Sequence, residues 1–189
     1  GGPLDLWSIH FPFPGLKQEV LMETLAQAVD MGMTKAVGVS NYNVGQLEEA
    51  HNLLDKKGIA LASNQVKYSL LDRSPESSGL LKAASERNVR IVAYSPLAGG
   101  DLGGVRAPSN EKAAQLVKLL SLIGALSGGR TPSQVALNYL VCKGALPIPG
   151  CKNAEQAAAH AGALGWELDL DTEVGMIDEK LDYLFGKGK

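Results

Sequence analysis

Leu4-Asp5-Leu6-Trp7-Ser8-Ile9-His10-Phe11-Pro12 is an apolar, strand-like run that ends in histidine and proline and opens into a Gly/Pro turn. His10 therefore sits where a buried strand surfaces. In a barrel of alternating strands and helices, the rim at the C-terminal ends of the strands is where side chains meet substrate. The pattern recurs along the chain. Ser40-Asn41 follow "KAVGV", Asn64-Gln65 lie within "LASNQVKYS", Tyr94-Ser95-Pro96 follow "RIVA", and Gly150 to Asn153 follow "ALPIP". Five apolar runs with polar or glycine-rich ends point to one concave site.

The stretches between these runs read as helices. "LKQEVLMETLAQAVDMG" carries Val20, Leu21, Leu25, Ala28 and Val29 at the spacing of one helical face, with Gly32 as a stop. The next strand, Ala36 to Val39, is apolar throughout, as a parallel strand covered on both faces should be. Asn43 is expected to cap a second helix ending at Gly58, and Ser74, with Pro75 in the first turn, to cap one ending at Asn88. Leu97 to Asn110 is glycine-rich and irregular, the composition of an active-site loop. "EKAAQLVKLLSLIGALSG", "VALNYLVCKG" behind a Thr131-Pro132 cap, a stretch from about Asn153, and a last one opening at Asp171-Thr172-Glu173 complete the helices. Strands alternating with helices imply an α/β fold with a parallel sheet.

Composition narrows the function classes. At 45% hydrophobic and 20% charged residues the chain has the make-up of an ordinary globular domain. A net charge of −2 gives no reason to invoke nucleic acid or an anionic membrane. No apolar run approaches the roughly 20 residues that span a bilayer. The two cysteines, Cys142 and Cys151, give no disulfide framework, and a reducing compartment follows. Cys142 reads as a small buried hydrophobe. His10, His51 and His160 share no ligand spacing, so no metal site is expected, and His51 reads as a surface or packing residue.

The strings "DLWSIHFP", "KAVGVSNYNVGQLEEA", "ASNQVKYSLLDR", "VRIVAYSPLAGG" and "PSQVALNYLV…LPIPGCKNAEQ…GALGWELD" resemble the aldo-keto reductase superfamily, in the family's order over nearly the whole chain. The likeness is to plant and algal chloroplast-type NADP-dependent oxidoreductases. It implies a partial (β/α)8 TIM barrel, strands 4 to 8 with their helices and the first three strands absent, forming one incomplete domain over 1–189. A complete barrel of this kind runs to about 250 residues.

The resemblance assigns roles residue by residue. His10 matches the histidine that binds and orients the substrate carbonyl oxygen. Ser40, Asn41 and Gln65 match the positions that hold a nicotinamide carboxamide, and their paired donors and acceptors suit it. Tyr94 matches the aromatic on which the nicotinamide stacks. Ser95, Leu97 and Gly100 match the loop that wraps the pyrophosphate, where small residues admit the backbone. Gly150, Lys152, Asn153 and Gln156 match the adenosine end, with Lys152 in the place of the cation at the 2′-phosphate, ahead of a helix N-terminus that suits an anion. The proton-donating tyrosine, its lysine and its aspartate have no counterpart in these 189 residues. Without them the chemical step lacks general acid catalysis, worth about 10²- to 10⁴-fold.

The sequence departs from the family at several places. Gly99 replaces a glutamine, Asp101 an apolar residue, Val105 a lysine, Ala159 a glutamate and His160 an asparagine. Weakened NADP(H) binding is expected, with Asp101 repelling phosphate. The resemblance places the chain in a chloroplast, or failing that the cytoplasm. The first and fifth strands are expected to be open edges, costing Leu6, Ile9, Val37, Val66 and Val92 part of their packing. Another protein chain or an N-terminal segment would cover them. A non-catalytic subunit of a larger assembly is the alternative to an oxidoreductase acting on a small carbonyl compound.

Overall fold

The computed structural model describes residues 2–103 and 106–186. Strands β1 (Trp7–Ile9), β2 (Val37–Ser40), β3 (Leu61–Lys67), β4 (Arg90–Tyr94) and β5 (Ala145–Ile148) form one sheet in chain order. The α/β expectation holds, and β1 and β5 are the outer strands among the described residues. The chain divides into two compact units, Gly1–Val66 with Ser78–Val92, and Lys67–Ser77 with Ala93–Lys189.

In the first unit β1 runs parallel to β2, with Trp7, Ser8 and Ile9 opposite Val37, Gly38 and Val39, and β2 runs parallel to β3. Ser8, Gly38 and Ser63 form one row across these strands. A Cβ at Gly38 would lie 2.5 Å from Ser63 Oγ and 2.6 Å from Ser8 Oγ, so the row closes only because its middle member has no side chain. Helix α1 (Gln18–Asp30) buries Met22, Leu25, Ala26 and Ala28. The expected face is therefore rotated: Val20 is 54% exposed and Met22 takes the core position. Helix α2 (Val44–Asp55) starts at Asn43, whose side chain accepts from the Gln46 N–H while Gln46 Oε1 accepts from the Asn43 N–H. This reciprocal cap is typically worth about 1 kcal/mol.

The single helix expected between Ser74 and Asn88 is two. Helix α3 (Ser74–Ser77) and α4 (Leu80–Ser85) are separated by Gly79 at φ 79°, a left-handed residue that stops one helix before the next begins. Asp72, not Ser74, supplies the capping acceptor, taking hydrogen bonds from the Ser74 N–H and hydroxyl. The expected loss of packing is also partly corrected. Leu6 is 44% exposed, but Val37 and Val66 are buried within the sheet that β1, β2 and β3 form.

The second unit holds α5 (Glu111–Leu126), α6 (Pro132–Cys142), α7 (Ala154–Ala161) and α8 (Gly175–Phe185). Leu116, Leu120 and Ile123 of α5, Val135, Leu137 and Leu140 of α6, and Ile177 and Leu181 of α8 form its core. Burying each such side chain contributes about 1.5–3 kcal/mol. The last helix begins with a wide turn at Leu170–Val174 capped by Asp169, so its start lies ahead of the expected Asp171.

A polar network ties this unit together. Arg73 donates to Glu76 and to Asp182, the Tyr68 hydroxyl donates to Glu76 at 2.7 Å, the Tyr139 hydroxyl donates to Asp178, and Lys143 donates to Asp178 at 2.7 Å. Burial, with the Glu76 carboxylate nearby, pushes both phenols well above their ordinary range. They stay protonated and act as donors.

Candidate functional site

The first unit gathers its polar strand ends through the residue after β2. Asn41 is left-handed, φ 60°, and its N–H donates to the Gln65 carbonyl at 2.9 Å. Its Nδ2 donates to the His10 carbonyl at 3.3 Å and to Ser40 Oγ at 3.0 Å, so one side chain joins the ends of β1 and β2. The Ser40 hydroxyl donates to the Gln65 carbonyl at 2.7 Å and is only 3% exposed. Its proton is committed to holding the turn. His10 is exposed, and its ring packs against Phe11 with centroids 4.6 Å apart. Its imidazole can present an N–H to an oxygen that gains charge. Asn64, fully buried, brackets the Tyr42 peptide with its carboxamide and so fixes the turn that carries Ser40 and Asn41.

The second unit carries a cavity of about 590 Å³. Its loop wall follows β4. Ser95 and Ala98 are left-handed at φ 52° and 49°, each at a cost of about 1–3 kcal/mol, and the turn closes through Ala98 N–H to the Ser95 carbonyl at 2.9 Å. Gly100 sits at φ 101°, and a Cβ there would crowd Arg106 Nε at 3.2 Å. Asp101 does not face the cavity. It is 8% exposed, accepts from Arg106 at 2.8 Å and from the Ser109 hydroxyl, and those contacts hold its carboxyl below the usual carboxylate range. Asp101, expected to repel phosphate, is paired with Arg106, whose guanidinium reaches the cavity wall. Val105, read as a lost cation, lies outside the described residues.

The opposite wall comes from the turn between β5 and α7. Asn153 accepts from the Gln156 N–H at 2.8 Å, and Gln156 Oε1 accepts from the Lys152 N–H at 2.8 Å, so the two residues shape the helix start. Gly150, Cys151, Lys152, Gln156, Ala159 and His160 line the space. Ser95, Leu97 and Gly100 of the expected set line it too; Asn153 sits behind it as the cap, and Tyr94 precedes the loop. The chemistry of the lining is compatible with an anionic group such as a phosphate. A volume in the range of small-molecule sites, a wall rich in glycine and small residues, and Lys152 and Arg106 on its boundary suit phosphate oxygens.

Sequence reasoning missed Asn64 and Arg106. Asn64 lay in a polar cluster already noted, and only its burial separates it from Gln65. Arg106 adjoins Val105, which stands where the family carries a lysine, one residue along a loop whose path the sequence does not reveal.

The chain matches the model of the aldo/keto reductase family over residues 2–182. It is 36% identical over 181 residues to the chloroplastic pyridoxal reductase of Arabidopsis thaliana, covering 89% of this chain and 49% of that protein. An aldo/keto reductase of Synechocystis sp. is 30% identical over 97% of this chain and 60% of its own length. The chain thus spans about half the length of the curated relatives it matches. A crystal structure of a thermostable aldo-keto reductase with the inhibitor epalrestat superposes with a TM-score of 0.81 at 29% identity, over 95% of this chain and 60% of that one. The glycerol dehydrogenase of Gluconobacter oxydans shares the fold, with a TM-score of 0.86 at 19% identity over 98% of this chain and 61% of that one.

Proposed function

The chain belongs to the aldo/keto reductase family, and from that premise we propose that it is the nucleotide-holding part of an NADP(H)-dependent carbonyl reductase, strands 4 to 8 of the barrel. The observation that carries this reading is the cavity bounded by Ser95, Arg106 and Lys152. When bound, the nicotinamide nucleotide supplies a hydride for a carbonyl carbon. Ser95, Leu97, Gly100 and Gly150 offer close backbone approach to a pyrophosphate. Lys152 offers charge to phosphate, Arg106, paired with Asp101, offers N–H donors, and Gln156 and Asn153 hold the helix start that carries Lys152. Asn41 and Gln65, on the turn secured by Ser40, offer amides to a carboxamide, and Tyr94 offers a ring. His10 donates a hydrogen bond to the substrate oxygen as it gains negative charge. The tyrosine, lysine and aspartate of the family's acid machinery come from outside these residues, so this stretch by itself binds nucleotide and turns over little. The likeness to a chloroplastic relative supports a chloroplast location.

Fluorescence titration with NADPH and NADH tests the reading. NADPH should bind at least about tenfold more tightly, a difference of about 1.4 kcal/mol, and Lys152→Ala should erase the preference. Equal affinity for the two nucleotides in the unaltered protein overturns it.

A structural subunit is the second reading, and the outer strand favours it. Leu4, Leu6, Trp7, Phe11 and Phe13 in and around β1 are all exposed, an apolar edge suited to another chain or to preceding β/α units. A monodisperse, cooperatively folding monomer of these 189 residues overturns this reading.

A further inference from the structure

The cavity wall carries a thiol and an imidazole that nucleotide binding does not require. Cys151 Sγ lies 3.3 Å from His160 Nδ1 and 3.7 Å from the Pro149 carbonyl oxygen. The two residues are nine apart in sequence, and α7 folds the second back onto the first. Cys151 is exposed, so a reagent in solution reaches it. Cys142 is its opposite: it is half-buried on α6, it donates to Asn138 Oδ1 at 3.4 Å, and burial pushes its thiol up.

We propose that Cys151 and His160 form a thiol–imidazole pair that takes a reversible mixed disulfide from an anionic disulfide of the glutathione class, and that this adduct closes the cavity to nucleotide. His160 Nδ1, in the tautomer with hydrogen on Nε2, accepts the thiol proton as Cys151 sulfur attacks one sulfur of the disulfide. The bond between the two reagent sulfurs breaks and a Cys151–sulfur bond forms. The departing thiolate takes the proton from His160. Cys151 is oxidised, and the released thiol is the reduced product. Lys152 lines the same space and attracts the carboxylates of the incoming disulfide, and Arg106, paired with Asp101, offers them N–H donors. The adduct then fills volume that the nucleotide phosphates need, which rests on the proposed function.

Oxidised glutathione added to the full protein, followed by intact mass and peptide mapping, tests the chemistry. One glutathionyl group should appear at Cys151. Cys142→Ser should leave the rate unchanged and Cys151→Ser should abolish the addition. His160→Ala should slow it at least about tenfold, with added imidazole restoring part of the rate. Addition at Cys142 first, or an unchanged rate in His160→Ala with its native circular dichroism, overturns the pair. NADPH titration separates the rest. Modified protein should bind NADPH at least about tenfold more weakly, and bound NADPH should protect Cys151. Modified protein that binds as tightly as unmodified protein overturns the closure. Unmodified protein that binds no NADPH overturns the proposed function and the closure with it, while the rates at Cys151 still decide the thiol chemistry.

Discussion

The Asn64 carboxamide pairs with both backbone polar groups of Tyr42, Nδ2 donating to its carbonyl at 2.9 Å and Oδ1 accepting from its N–H at 3.4 Å. Asn64→Ala leaves a buried carbonyl and N–H without these partners. The expected loss is about 1–3 kcal/mol, seen as a lower urea midpoint with an unchanged slope. NADPH binding should weaken in the same variant, since the turn carrying Ser40 and Asn41 loses its brace. An unaltered midpoint would show that the Tyr42 peptide finds other partners.

Tyr68 and Tyr139 make the second unit sensitive to alkali. Both phenols titrate higher in the folded chain than the ordinary value of about 10, so the folded state holds those protons more tightly. Their stabilising contribution is full below about pH 10 and falls as pH rises beyond it. Urea midpoints measured from pH 8 to about pH 11.5 should drop steeply at the alkaline end. Tyr139→Phe should flatten that drop, at a cost near neutrality of about 1.5–3 kcal/mol for the hydrogen bond to Asp178.

Arg106 pairs with Asp101 at 2.8 Å and lines the cavity wall. Arg106→Ala should weaken NADPH binding by about ten- to a hundredfold, the range of one charged hydrogen bond, and the difference should shrink as salt rises. Calorimetry at two ionic strengths checks both. A variant that binds as tightly as the parent places the guanidinium away from the phosphates.

Gly38→Ala should destabilise the first unit. The new methyl lies inside contact distance of the Ser8 and Ser63 hydroxyls, and serine has little length with which to retreat. Overpacking of this size costs about 1–3 kcal/mol, readable as a lower thermal midpoint. Gly38→Ala combined with Ser63→Gly should recover part of it.

Much of this was legible in the residues themselves. The strands announced themselves as apolar runs ending in polar clusters, and Asn43, Thr131 and Asn153 announced three helix starts by chemistry the structure repeats. Local signals failed where two readings share one pattern. Val20 and Met22 are both apolar, and only packing decides which faces inward. Gly79 could end a helix or sit within one, and its left-handed backbone decides. Asp101 looked like an acid beside phosphate because a sequence shows charge without direction; Arg106 and Ser109 turn it into the loop.

The left-handed backbone at Ser95 bears on how this protein would evolve in the laboratory. An L side chain there costs about 1–3 kcal/mol, whereas glycine costs only about 0.5–1 kcal/mol in lost freedom. The balance rewards Ser95→Gly on melting temperature alone. A library screened by heat challenge would enrich that replacement and discard a hydroxyl from the cavity wall, so each round of such selection should be paired with a count of ligand bound.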